Sequence, residues 1–253
     1  MKLLTLARDL KRRKARERQG LFVAEGVRAV EELLRSPLVV RGAIVAPQLD
    51  DAPRGRALRE ALTARGFEIA DVGHREFASA AETDSPQGVL ALAEAPDHSL
   101  AALRVEDATR LVVLDGVQDP GNVGTIVRTA AALGAAATIA LPGTVDLWNA
   151  KVVRSAMGAQ FHLPVLSCTW DELAAFLANR TVPLWGADGG GQPLHRADVP
   201  AGPLALAVGN EGAGLSPAVR AGCARLVAIP ISPLVESLNV AVATGILLDA
   251  LRP

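Results

Sequence analysis

The chain has 253 residues, half of them apolar, with a formal net charge of −1 and two cysteines. That length holds one large domain or two modest ones with a sizeable core. Aromatic residues make up 3% and tyrosine is absent, so Ala, Val and Leu must build the core, and a platform stacking many bases is excluded. Cys168 and Cys223 stand apart from any Cys-x-x-Cys or His spacing, which argues against a disulfide framework or a zinc site and fits a reducing cytoplasm. No stretch has the length of a membrane span, and the basic N-terminus lacks the apolar core of a signal peptide.

Residues 3–18 read as one basic helix, ended by Gln19-Gly20. Within it RDLKRRKARER, residues 8–18, carries seven basic and two acidic side chains. With Lys2 the first eighteen residues hold +6, so the remaining 235 sum to −7. Such asymmetry points to a basic arm facing nucleic acid, through Arg8, Lys11, Arg12, Arg13, Lys14, Arg16 and Arg18, against the alternative of a solvated helical face. FVAEGVRAVEELLRS has helical spacing through Val27, Val30, Leu33 and Leu34. A strand at VVRGAIVA, a helix closed by Gly66, and strands at FEIADV and GVLALAE complete a small α/β unit over residues 1–94. Residues 95–108 break the pattern and read as a linker before a domain at 109–253.

In the second domain RLVVLDGV is a buried strand, DPGNVGTIVRTAAALG a loop entering a helix, and ATIALPG, LPVLS, VPLWGAD, GPLALAVG and RLVAIP are further strands. DLWNAKVVRSAMGA and WDELAAFLANR read as helices between them. The alternation implies an α/β fold with a parallel sheet. Three strand ends carry Gly- or Pro-rich loops, at 186–191, 209–214 and 229–239, where such sheets bind ligands. Gly209-x-x-Gly212-x-Gly214 is not the dinucleotide pattern and no Walker A lysine follows, so common nucleotide folds are disfavoured.

Near these loops stand Asn122, placed to cap or orient, Thr125 at the expected helix start, and Arg128, which needs a charged partner or a wet cavity. A surface salt bridge remains open for Arg128 and a structural role for Glu211. Ser237 is the expected cap of the last helix, and with Asn239 it satisfies orphan N–H groups or faces a ligand. The four histidines match no triad or metal spacing, and the three tryptophans read as core or interface.

LDGVQDPGNVGTIVRTAAALGA, LALAVGNEGAGLSPAV and VAIPISPLVESLNVAVATGILL resemble, in order, the three motifs of the SpoU (TrmH) RNA 2′-O-ribose methyltransferases. FVAEGVRAVEELL and TDSPQGVLALAE resemble the L30-like substrate-binding domain that precedes the catalytic domain in many members. The resemblance implies S-adenosylmethionine as cofactor, a deep trefoil knot in the C-terminal domain, a homodimer and no metal. It places cofactor contacts at Gly209, Ile229 and Leu238, and the catalytic set at Asn122, Arg128, Glu211, Ser237 and Asn239. Large-subunit ribosomal RNA is the favoured substrate, with transfer RNA the runner-up. A non-catalytic RNA-binding or ribosome-assembly protein and a small-molecule nucleotide enzyme are the rival classes.

Overall fold

A computed structural model describes residues 2–195 and 199–252. They form two compact units, Met1–Pro96 with Trp148–His162, and Asp97–Leu147 with Leu163–Pro253.

The first unit is built on a four-stranded sheet, β1 (Leu21–Glu25), β4 (Val89–Glu94), β2 (Val40–Val45) and β3 (Ile69–Asp71) in that spatial order. β4 runs antiparallel to both neighbours, whereas β2 and β3 are parallel. Side chains alternate along each strand, which sends two apolar sets to opposite faces. Phe22, Ala24, Ala43, Val45, Val89, Ala91 and Ala93 join one core with α3 (Val27–Arg35) and α4 (Pro53–Ala64). Val23, Ile44, Leu90 and Leu92 join the other with α1 (Lys2–Asp9) and α5 (His74–Ala80). α7 (Ala150–Ala156) belongs here because its flanks bring Trp148 and Phe161 onto Phe22, with ring centroids 4.5 and 5.6 Å away.

Two expectations for this unit are corrected. The basic helix at 3–18 is two helices, α1 and α2 (Arg13–Gln19). Leu3, Leu4, Ala7 and Leu10 are drawn onto the sheet, and the chain turns after Leu10. The FVAE stretch is strand β1 rather than helix; Gly26, at φ +96°, ends it, and the spaced apolar residues begin α3 immediately after.

The second unit holds a six-stranded parallel sheet ordered β10 (Arg225–Ala228), β8 (Leu184–Pro193), β9 (Leu204–Gly209), β5 (Arg110–Asp115), β6 (Ala137–Ala140) and β7 (Val165–Ser167). Chain direction across the sheet reverses at β5, which has β6 on one side and β9 on the other. One face is covered by α8 (Trp170–Asn179) and α9 (Pro217–Gly222), through Leu173, Phe176, Leu177 and Val219. α10 (Val240–Ala250) packs on α6 (Pro120–Ala132) and on β9. Among the described residues no helix is long and apolar enough to cross a membrane.

Arg110 fastens the end of α10. The residue is 4% exposed with no carboxylate partner among the described residues, and burial lowers its pKa. Its guanidinium instead donates to four carbonyls: Leu251 at 2.6 Å, Gly202 at 2.8 Å, and Thr109 and Pro200 at 3.1 Å. Leu251 is the cap of α10, where carbonyls lack helical partners and the dipole favours a cation. Arg110→Met should strand these buried acceptors and lower unfolding stability in urea by about 2–4 kcal/mol.

Candidate functional site

At the carboxyl edge of the second unit's sheet, three loops enclose a cavity of about 350 Å³. Its wall includes Asp188 and Gly189 after the first part of β8, Gly209, Asn210 and Glu211 after β9, and Ile229, Ser237, Leu238 and Asn239 after β10. Val208, Val227, Leu238, Val240 and Leu247 make much of that wall apolar. These loops gather here because β10, β8 and β9 are parallel neighbours in the sheet, so their carboxyl ends open on the same edge.

The β9 loop is pinned by a close approach. A Cβ on Gly209 would stand 2.2 Å from the Gly214 carbonyl carbon, so only glycine fits. That contact lets Asn210 and Gly214 exchange two backbone hydrogen bonds of 2.9 Å, with Gly214 at φ +70°. The Asn210 side chain fills the turn. Its Oδ1 accepts the N–H groups of Gly212 and Ala213, and its Nδ2 donates to the Gly116 carbonyl, each at 2.9 Å. Asn210 was not singled out from sequence, although an Asn directly before a Gly-rich turn is the signal that marks it.

Glu211 is then held at the mouth of the β5–α6 loop. Its Oε2 accepts the Gln118 N–H at 3.2 Å, and its Oε1 accepts the Asp119 N–H at 3.2 Å and Asn122 Nδ2 at 3.1 Å. Burial would raise its pKa, but the Asn122 bond and the backbone N–H groups together outweigh burial and lower it. Asn122 Oδ1 in turn accepts Asn239 Nδ2 at 2.9 Å, and Asn239 Oδ1 accepts the N–H groups of Ala241 and Val242. One chain of hydrogen bonds thus links the β9 loop, the β5–α6 loop and the start of α10.

The expected residues divide accordingly. Gly209, Ile229 and Leu238 line the cavity together with Glu211, Ser237 and Asn239. Asn122 is outside the wall but tied to it through Glu211 and Asn239. Arg128 lies on the exposed side of α6, two turns into that helix. The helix begins at Pro120 with Asp119 as cap, not near Thr125, because Asp119 Oδ1 takes the Asn122 N–H at 2.8 Å. Likewise the cap of α10 is Asn239, not Ser237. Thr144, also unmarked in the sequence, accepts the Gly116 N–H and donates to the Leu114 carbonyl, which closes the end of β5.

In the first unit the basic arm divides as well. Arg16 is 6% exposed, and its Nη1 donates to the carbonyls of Leu10 and Lys11 at the break between α1 and α2. It is turned inward as a local brace and does not belong to a solvent-facing arm. Lys11 donates to the Ala81 carbonyl at 2.7 Å and Arg8 to Ser79 at 2.8 Å, while Arg12 and Arg18 flank Asp9 and Arg13 pairs with Glu17. Lys2, Arg8 and Arg12 line an open groove of about 700 Å³.

This arrangement matches known proteins over nearly its whole length. The SpoU rRNA Methylase family profile covers residues 109–249, and the MRM3-like substrate binding domain profile covers residues 5–91. The chain belongs to the SpoU rRNA methylase family. It is 34% identical over 97% of its length to the 23S rRNA (guanosine(2553)-2′-O)-methyltransferase RlmP of Bacillus subtilis, spanning 94% of that protein. It is 32% identical over 95% of its length to a 23S rRNA (uridine(2479)-2′-O)-methyltransferase of Streptomyces viridochromogenes, spanning 85% of it. The crystal structure of the SpoU methyltransferase AviRb from that organism, in complex with AdoMet, superposes with a TM-score of 0.86 at 28% identity, covering 98% of this chain and 96% of that one. An AdoMet-bound rRNA methyltransferase from Sinorhizobium meliloti superposes with a TM-score of 0.84 at 28% identity, over 98% and 93% of the two chains.

S-adenosylmethionine is the cofactor of this family, and the cavity fits it. The apolar wall suits an adenine ring, and Gly189, with open space around its Cα, lets a ligand approach the backbone closely.

The depressed pKa of Glu211 has a consequence with a definite sign. Its ionised form is favoured by the fold, so its contribution is full above its ordinary 4.5 and is lost as pH falls through the lower folded value. Acid unfolding followed by circular dichroism should therefore show a shallower loss of stability below pH 4.5 in Glu211→Gln than in the native protein.

Proposed function

We propose that this protein transfers a methyl group from S-adenosylmethionine to a ribose 2′-hydroxyl of large-subunit ribosomal RNA, in the cytoplasm and as a homodimer. The single observation that carries this reading is the hydrogen-bonded joining of Asn122, Glu211 and Asn239 around the cavity lined by Gly209, Ile229 and Leu238. The named activities of its full-length relatives support the ribosomal substrate.

The bound cofactor supplies an electrophilic methyl group on a cationic sulfur. The protein's task is therefore to orient the acceptor and to ease loss of its proton. Glu211, with three hydrogen bonds and a lowered pKa, is a poor proton acceptor and holds the loops instead. Asn122 and Asn239 spend their amides on each other, on Glu211 and on the start of α10, which is also a holding role. Ser237, exposed on the cavity wall, and Arg128, exposed on α6, are the members of the set that meet the ribose. Arginine does not deprotonate in proteins, so Arg128 stabilises the developing alkoxide and grips a neighbouring phosphate rather than acting as a base.

The homodimer rests on apolar surface that remains uncovered. Val242 and Ile246, one turn apart on α10, are 53% and 45% exposed, and Leu234 in the third loop is 90% exposed. A second copy covering this surface would bury the cavity's outer loop. The deep trefoil knot belongs to the same reading, with the third loop and α10 as its threaded segment.

RNA is selected by the first unit through the groove at Lys2, Arg8 and Arg12, with Lys11, Arg13, Lys14 and Arg18 close by in sequence. These side chains draw on phosphate charge without reading bases.

Arg128→Ala should reduce methyl transfer in a tritium assay by at least about 100-fold, the usual loss for an electrostatic transition-state contact. Calorimetric S-adenosylmethionine affinity should stay unchanged, and retained transfer would remove Arg128 from its role. Replacing Arg12, Arg13 and Lys14 by Gln should lower the slope of log RNA affinity against log salt by up to about three phosphate contacts. An unchanged slope would make the arm a solvated face.

A further inference from the structure

β8 leaves its ladder with β10 at the cavity. Gly186 pairs with Leu226, but the next pairing joins Val227 to Gln192, so residues 187–191 face no residue of β10. The excursion is closed at Gly191, where a Cβ would lie 2.7 Å from the Leu226 carbonyl carbon. Asp188 and Gly189 from this excursion line the cavity.

Asp188 is held in a fixed pose. Its Oδ1 accepts the Gly190 N–H at 2.9 Å and its Oδ2 accepts Nη1 of Arg220 on α9. Its side chain retains 19% exposure. The Arg220 bond outweighs burial and keeps the carboxyl ionised below its ordinary range.

We propose that Asp188 is a cofactor-binding residue whose carboxylate accepts a hydrogen bond from one ribose hydroxyl of the adenosyl group. This rests on the cavity being the S-adenosylmethionine site. The pair with Arg220 is neutral overall, so it offers oriented lone pairs rather than net negative charge. That suits a hydroxyl donor better than a sulfonium or ammonium cation. A carboxylate has about four acceptor sites, and the bonds to Gly190 and Arg220 use two.

Position points the same way. β9 stands between β8 and β5, so the strand that carries Asp188 and the strand that leads to Asn122 are about 10 Å apart at two strand spacings. The group Asp188 meets is therefore not the reacting methyl. Glu211 is consumed by the β5–α6 loop, and Glu236 projects from an exposed loop, which leaves Asp188 as the fixed carboxylate on this wall among the described residues.

Calorimetry with the full-length protein tests this, using S-adenosylmethionine, S-adenosylhomocysteine and the 2′-deoxy and 3′-deoxy forms of the latter. Asp188→Ala should weaken the first two by the same factor, roughly tenfold or more, as expected for a hydrogen bond to a charged group. It should bind at least one deoxy form no worse than the native protein does. Asp188→Asn, which preserves the Gly190 turn, should show the same pattern with a smaller factor. Loss confined to S-adenosylmethionine would mean cation recognition and overturn the proposal. Equal loss for both deoxy forms would reduce Asp188 to a loop support, and unchanged affinities would exclude it from the site. Native protein that bound no S-adenosylmethionine would overturn the cofactor assignment itself.

Discussion

The carboxylate of Glu211 is the contact on which the second unit's site depends. The first N–H groups of a helix have no partners within it, and α6 starts directly beneath this carboxylate. Glu211 takes the Gln118 and Asp119 N–H groups just before that helix and the Asn122 side chain in its first turn. A negative charge is favoured there by the helix dipole as well. The carboxylate reaches this place because Gly209 lacks a side chain and lets the β9 loop fold tightly on itself. A single missing Cβ and a single charge therefore set the distance between two loops, and Asn122 carries that constraint to Asn239 and α10.

A division of labour follows. Side chains whose polar atoms are used up by neighbouring loops have rigid positions and little capacity for proton transfer. Methyl transfer from a sulfonium needs that rigidity, because its barrier is lowered by alignment more than by acid–base help. The proposed role of Ser237, exposed on the cavity wall, fits this division. Arg110 extends the same economy to the far end of α10, where one buried cation answers four carbonyls.

The first unit solves a different problem. Its short strands alternate side chains to two apolar faces, so helices must cover both. α1 covers one face with Leu3, Leu4 and Ala7, and the chain breaks after Leu10 before α2 begins. Arg16 is spent on the break, which leaves its neighbours at the surface. A charge count over residues 8–18 treats all seven cations alike. Only the path of the backbone separates the brace from the rest.

Much was legible because it is local. Strand and helix periodicity marked the parallel sheet, Gly20 and Gly66 marked helix ends, and three ordered motifs marked the family with Gly209, Ile229 and Leu238 at its cavity. Helix starts were misplaced by two to five residues, since Asp119 and Asn239 compete with other polar residues nearby and only the final backbone angles choose among them. Asn210, Thr144 and Asp188 were not singled out, because they hold contacts 28 to 94 residues away along the chain. The burial of Arg16 was hidden for the same reason: a side chain's environment is decided by what packs around it. The sequence by itself determined which loops are glycine-rich and which residue types stand at strand ends. Only the tertiary structure decided which of those polar groups are consumed holding the loops together and which remain exposed, because that depends on distances between segments far apart in the chain.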